Sequence, residues 1–205
     1  SMDMHRADLH ALGFNKRDTV SVISANVGLD LAGRTIEQMD GYVSVANAEY
    51  LYPGGELKTD ILRLELEGSG RQKAVALTSD FFELNYHSHS SFREVYNYVY
   101  NSLMTYVPLL YDNATTIVVD ESSVNNPSDY TALTLQAGDA INELLDAIAG
   151  GLVMAPNTEL GLIFNPKSNN ISLRGTSEAL EYSGLIMANV EWNINNNSRD
   201  SLSMR

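Results

Sequence analysis

The chain has 205 residues, of which 44% are apolar, and its formal net charge is −13. The length fits one domain of ordinary size, and the apolar content is sufficient for a packed core. The negative charge argues against nucleic-acid binding, which uses a basic surface, and against an anionic membrane surface. The absence of cysteine excludes disulfides, thiolate metal sites and a cysteine nucleophile.

The charged residues are unevenly distributed along the chain. No lysine or arginine occurs between Arg93 and Lys167, whereas nine acidic residues lie in that stretch. Such a stretch disfavours a polyanionic partner and permits a basic protein partner. No apolar run is long enough for a membrane span, and the N-terminus does not resemble a signal peptide. We therefore expect a soluble cytoplasmic protein, with a virion as a compatible alternative location.

The N-terminal part of the chain predicts mainly strands. Residues 1–17 form an N-terminal segment in which Leu9 and Leu12 fit one face of a short helix. A single α+β domain is expected over 18–194. Its first part has the alternation and turn signals of strands at 18–25, 41–52, 59–67 and 73–78.

Two principal helices are predicted in the middle of the chain. The first, at about 91–111, begins with a capping box in which the Ser91 hydroxyl accepts from a backbone N–H and Glu94 reaches back. The second, at about 129–149, is predicted from apolar residues that recur at helical spacing between Leu133 and Ile148.

Strand patterns return after the second predicted helix. Residues 160–164 and 171–174 predict a hairpin, and alternation continues over 186–194. Residues 195–205 are expected to be a polar, disordered tail. The order of strands, then helices, then strands predicts an α+β fold, in which two principal helices pack on one face of a mainly antiparallel sheet.

The sequence contains no phosphate-binding loop, nucleophile elbow or zincin helix. The best chemical candidates are His87 and His89, which project from the same face if the segment is extended. With Asp80 and Glu83 nearby, they could hold a divalent metal or supply a general base. In the alternative interpretation both histidines lie in a polar connection. Without a third ligand we assign no metal, no cofactor and no catalytic residue.

The candidate binding residues lie on the two predicted helices. Asp139, Glu143 and Asp146 form an acidic ridge opposite the apolar stripe of the second helix, which predicts a docking strip for a basic partner; the alternative is a solvated helix face. Tyr98 lies off the apolar rows of the first helix. An exposed tyrosine is typical of interfaces, and the alternative is a partly buried ring.

These observations favour a non-enzymatic structural or interaction protein that self-assembles as a homo-oligomer or docks on a basic protein partner. The composition is compatible with phage or viral structural and accessory proteins. The alternatives are a metal-dependent hydrolase that uses the His87 and His89 region, and a small-molecule-binding module. No nucleic-acid or membrane partner is expected.

Overall fold

The computed structural model describes residues 2–14, 20–69, 72–97, 130–148, 150–165, 170–198 and 201–204. Strands make up 68% of the structure and helices 11%. The strands are β1 (Met2–Asp8), β2 (Val22–Ala32), β3 (Asp40–Tyr52), β4 (Gly55–Ser69), β5 (Gln72–Ser79), β6 (Phe82–Ser88), β7 (Thr131–Ala137), β8 (Leu152–Met154), β9 (Glu159–Asn165), β10 (Asn170–Tyr182), β11 (Leu185–Ser198) and β12 (Ser201–Met204).

The strands form one antiparallel sheet, in which nearly every strand pairs with its neighbour in the chain. The order is β1-β2-β3-β4-β5-β6-β7-β9-β10-β11-β12, and β8 pairs with β10 beside this path. A 3-10 helix (Ile36–Gln38) connects β2 to β3. An α-helix, α1, follows β6 and is described over 92–97, and α2 (Ile141–Ile148) follows β7.

One face of the sheet is apolar because the alternating residues of successive strands lie in register. A single lateral row crosses nine strands through Leu29, Val43, Leu64, Leu77, Leu84, Leu135, Leu160, Gly175 and Trp192. The opposite face is largely polar, with a row through Tyr42, Glu65, Ala76, Asn85, Thr134, Gly161, Arg174 and Asn193. This alternation is typical of antiparallel sheets with one solvated face.

The core of the described part lies at the end of the sheet where α2 packs. Phe81, Ala137, Ile141 and Leu145 form a buried cluster, and Leu57, Phe82, Ala140, Leu144, Leu152 and Met154 pack against it. Most residues of the apolar row are only half-buried. Near the other end, the ring of Phe92 stacks on Tyr86 with 5.6 Å between centroids, so α1 begins on the apolar side.

The predicted α+β fold with two principal helices is wrong. Within the predicted helix 129–149, residues Thr131–Ala137 form the central strand β7, and of the described residues in this range only Ile141–Ile148 are α-helical. Leu133 and Ala137 are four residues apart, which fits a helix. However, Leu133 and Leu135 also alternate with polar residues and pair in register with β6 and β9. These cross-strand pairs decide the structure of an ambiguous segment.

Glycine at position 138 separates the strand from the helix. Its N–H donates to the carbonyl of Phe81 at 2.7 Å. A Cβ atom at this position would lie 2.4 Å from the carbonyl oxygen of Asp80. Only glycine fits that approach without movement of the backbone, so position 138 suits the close contact between the turn after β7 and the turn before β6.

The start of the first predicted helix is confirmed. Glu94 N–H donates to Ser91 Oγ at 3.2 Å, and Ser91 N–H donates to a Glu94 carboxylate oxygen at 2.8 Å, which is a capping box. The rest of the prediction for 91–111, from residue 98 onwards, lies outside the described residues. The predicted hairpin of 160–164 and 171–174 is confirmed as β9 and β10.

The two ends of the chain differ from expectation. In place of a short helix within 1–17, residues Met2–Asp8 form β1, which pairs with β2. In place of a disordered tail over 195–205, β11 extends to Ser198 and β12 pairs with it. In both places the backbone of a neighbouring strand supplies hydrogen-bond partners to a polar sequence whose side chains predict no strand.

Candidate interaction surface and polar clefts

The predicted acidic residues are exposed but do not lie on one helix. Glu143 and Asp146 lie on the outer side of α2, whose other side buries Ile141 and Leu145. Asp139 lies in the turn that precedes α2. The role of these three residues in docking a basic partner stays a prediction. Tyr98, the fourth predicted binding residue, lies outside the described residues.

The two histidines line the same cleft but differ in exposure. His87 is an exposed residue of β6, opposite Ala74 and Ala132. His89 follows the end of β6; its ring lies 5.3 Å from that of Tyr130, and its Nδ1 atom is buried without a hydrogen-bond partner among the described residues. Within the same part of the chain, no three potential metal ligands come together.

The carboxylates near the histidines in sequence are distant in the fold. Glu83 lies four residues from His87 along β6, or about 13 Å. It lines a cleft of about 280 Å³ with Asn85, Gln136 and Glu159. Asp80 lies in the turn between β5 and β6, still further from His89. The structure therefore does not bring these four residues together. Asp120, a further candidate of the hydrolase hypothesis at the end of a predicted strand, lies outside the described residues.

The hydrogen bonds of the Asp80 carboxylate indicate a structural role. Its Oδ2 atom accepts hydrogen bonds from Thr59 Oγ1 at 2.8 Å, Asp60 N at 2.6 Å and Ile61 N at 3.4 Å. Burial is the largest single influence on its pKa and raises it, but the three hydrogen bonds together hold the pKa below its ordinary value. β5 ends at Ser79, which pairs with Leu62, so the residues of β4 before Leu62 have no partner on β5. The Asp80 carboxylate accepts hydrogen bonds from the backbone amides of two of them, Asp60 and Ile61.

A larger cleft of about 580 Å³ lies where β5 begins and β6 ends, and His87, His89 and Tyr130 line part of it. The buried Lys73 also lines the cleft, and its ammonium group donates a hydrogen bond to the backbone carbonyl of Glu37. Next to this cleft, the Ser88 hydroxyl of β6 and the Thr131 hydroxyl of β7 share a hydrogen bond of 2.7 Å. No acid, base and nucleophile are aligned among these described residues in the manner of a catalytic triad.

Tyr86 is buried beside this cleft. Burial raises the pKa of its phenol, and the nearby carboxylate of Glu37 adds to the rise, whereas the neighbouring Ser88 lowers it. The phenol is therefore neutral at neutral pH, and its ring packs against Phe92. Its place in the apolar face of the sheet identifies it as a packing residue with a polar tip.

The most unusual surface of the described part is apolar. The turn between β10 and β11 projects beyond the other central strands, and its side chains are largely exposed: Tyr182 by 60%, Leu185 by 64% and Ile186 by 69%. Nearby, Val153 of β8 pairs in register with the hairpin, and Ser183 N–H donates to Gly151 O at 3.1 Å. We call this surface, defined by Ile148, Val153, Tyr182, Leu185, Ile186 and Met187, the hairpin tip.

The hairpin tip continues the apolar surface that α2 covers. Leu152 lies opposite Tyr182 in the register, Tyr182 lies opposite Leu185, and Met154 lies opposite Leu180. Leu152 and Met154 pack against the core cluster, whereas the next residues outwards are exposed. Contiguous exposed apolar patches on a folded chain typically mark interaction sites.

The sequence contained a signal for the hairpin tip that alternation alone did not reveal. Leu185, Ile186 and Met187 are three consecutive apolar residues, so both faces of the strand are apolar there. A strand with one buried and one solvated face does not have this pattern.

No helix in the described part is both long and apolar enough to cross a membrane. Comparisons with protein-family models, curated proteins and solved structures gave no match for this chain.

Proposed function

We propose that this protein is a non-enzymatic structural or interaction protein that self-assembles through the hairpin tip. The observation that carries the proposal is the exposure of Tyr182, Leu185 and Ile186, which lie together at the end of one hairpin. Full burial of one large apolar side chain contributes roughly 1.5–3 kcal/mol. Several such side chains in one patch give a driving force of the size that association requires.

The distribution of charge supports a second copy of this chain as the partner. The chain carries a net charge of −13, so two copies repel each other over most of their surfaces. Residues 183–190 contain no charged side chain. The β11 side of the hairpin tip is therefore a place where two acidic copies meet with little direct repulsion, because the nearest carboxylate in the register, Glu181, belongs to β10 and lies opposite Ile186 on the side away from the open edge.

The arrangement of the titratable residues supports a role other than catalysis. His87 and His89 lie at one end of β6, whereas Asp80 precedes its other end. The carboxylate of Asp80 is engaged by the backbone and by the hydroxyl of Thr59. Two groups that act on one substrate must both lie within hydrogen-bond reach of it, and residues at opposite ends of β6 are too far apart for that.

Light scattering behind size exclusion, over a wide range of protein concentration and at two salt concentrations, tests the proposal. We expect a discrete mass that is a multiple of 22.5 kDa. The oligomer should become more stable at higher salt, because salt screens repulsion between acidic copies and strengthens apolar association. A mass of one chain at every concentration and both salt levels would contradict self-assembly. Binding to a basic protein that weakens with salt would favour docking by the acidic residues instead.

A further inference from the structure

The outer edge of β11 is open over most of its length. On one side β11 pairs with β10 from Leu185 onwards. On the other side β12 pairs only within 194–198 of β11. Within the described residues no strand pairs with the outer edge over 185–193, so that edge presents backbone N–H and C=O groups to solvent.

Over 185–188 this edge lacks two features with which proteins commonly protect exposed strands. Charged side chains and proline normally prevent edges from pairing with other chains. Residues 183–190 contain neither. Leu185 and Ile186 are mostly exposed, and Met187 is exposed by 40%. Short uncharged apolar edges of this kind are typical sites of strand pairing between chains.

We infer that residues 185–188 of β11 pair antiparallel with the same residues of a second copy across a two-fold axis, an inference that rests on the proposed function. In such a contact each copy presents the same surface to the other. Backbone hydrogen bonds fix the direction of the added strand, and the side chains on both faces become buried. The two sheets then continue into each other at the hairpin tip.

The segment is complementary to a copy of itself. Leu185 emerges on the face of Tyr182, and Ile186 emerges on the other face, where Glu181 of β10 lies between it and Val153. Pairing of 185–188 with its own copy therefore brings Leu185 and Ile186 together with apolar side chains on both faces of the new strand pair. Every pairing between described strands is antiparallel. Because β12 already occupies the same edge further along, a second copy extends a mode of pairing that this strand uses.

Asn189 limits the length of the contact. Its φ of 51° lies in the left-handed region, which a residue other than glycine seldom adopts. At this position the regular pairing of β10 with β11 is also interrupted, between Ala188 and Val190. A local break of this kind disturbs the hydrogen-bonding edge much as a bulge does. The paired segment therefore ends at Ala188, and the contact remains short.

Single-cysteine substitution tests the pairing directly, because the chain has no cysteine of its own. Leu185→Cys, Ile186→Cys, Met187→Cys and Ala188→Cys would each be oxidised mildly in the full chain. Identical residues next to a two-fold axis in an antiparallel pair have Cβ atoms about 4.5–5.5 Å apart, close to disulfide reach. We expect a covalent dimer at one or two adjacent positions.

Ile163→Cys is the matched control, because Ile163 is 57% exposed but belongs to β9, which β7 and β10 pair on both sides. It should give no covalent dimer. Ile186→Lys, which adds a charge to the open edge, should raise the dimer dissociation constant at least tenfold, whereas Ile163→Lys should not change it.

The outcomes separate this inference from the proposed function. If the wild-type chain is an oligomer, but no position in 185–188 cross-links and Ile186→Lys has no effect, the pairing is wrong and self-assembly stands. If Ile163→Cys cross-links as readily as 185–188, the covalent dimers arise from collision and the pairing is again wrong. If the wild-type chain is a monomer at every concentration, both proposals are wrong.

Discussion

The carboxylate of Asp80 joins the turn before β6 to the part of β4 that β5 leaves unpaired. Because the pKa of Asp80 is lower in the folded chain than its ordinary value, its contribution to stability is complete above the ordinary value of about 3.9. The contribution is lost as pH falls through the lowered folded pKa. This carboxylate is thus one source of acid sensitivity in the fold.

Asp80→Asn should lower the stability of the folded chain at pH 7. The amide oxygen is neutral, so it accepts the three hydrogen bonds more weakly than the charged carboxylate does. The expected loss is about 1 kcal/mol. The difference from the wild type should shrink as pH falls below about 3.9, where the wild-type carboxylate also becomes protonated. Thermal melts from pH 7 to pH 2.5 measure this. Asp60→Asn, at an exposed neighbour, is the control. A difference that stays constant over that range would contradict the assignment.

Gly175 makes room for the single tryptophan of the chain. It lies opposite Trp192 in the β10–β11 pair, and a Cβ atom at this position would lie 2.3 Å from the indole ring. A cross-strand aromatic ring that covers a glycine compensates for the missing side chain, because the ring fills that space. The Trp192 ring therefore keeps the apolar row of the sheet continuous at Gly175, which has no side chain of its own.

Gly175→Ala should destabilise the chain by about 1–3 kcal/mol, because the added methyl group forces the Trp192 ring out of its place. The intrinsic tryptophan fluorescence should change as well, since Trp192 is its only source. Gly161→Ala is the matched control, because the nearest atom to its added Cβ is 3.9 Å away. Denaturant unfolding followed by fluorescence measures both variants. Equal effects of the two substitutions would show that the close approach to Trp192 has no energetic consequence.

At the scale of elements, α2 connects the core to the exposed hairpin. Its inner side places Ile141 and Leu145 in the core cluster, and its last residue, Ile148, is 70% exposed. An eight-residue helix is not stable alone, so its stability derives from this packing. The acidic residues on its outer side do not take part in that packing.

Leu145→Ala should cost about 2–4 kcal/mol, because it removes a buried side chain and leaves a cavity beside Phe81. Ile148→Ala, on the same helix, should change the stability of the isolated chain by less than about 0.5 kcal/mol, because its side chain is exposed. Urea unfolding of dilute protein measures the two free energies. Similar losses for both substitutions would contradict the position of α2 in the fold.

The strands were predictable where apolar and charged residues alternate. Within 59–67, Leu62, Leu64 and Leu66 indicated both the strand and its buried face, and β4 places them in the apolar face. The segment 131–137 was not predictable by the same means, because its leucines and alanines fit both periods. Its partners lie about 45 residues earlier on β6 and 30 residues later on β9, and local patterns carry no information about such distant pairs.

At the scale of the whole molecule, the exposure of the hairpin tip could be recognised only from the topology. The three apolar residues from Leu185 to Met187 suit a buried central strand as well as an edge strand. Their exposure follows from the place of β11 near the end of the sheet and from the short pairing with β12. The acidic composition acts in the same direction, because it leaves the segment 183–190, which has no charged side chain, as a favourable contact between copies.

Hydrogen–deuterium exchange of the amides of 185–188, at concentrations well below and well above the onset of assembly, tests the central claim most directly. The claim is that the open edge of β11 becomes paired between copies. We expect outward-facing amides in this segment to exchange rapidly in the dilute protein and slowly in the concentrated protein, while the amides of β9 change little. Rapid exchange of 185–188 at both concentrations, while the mass doubles, would contradict the claim.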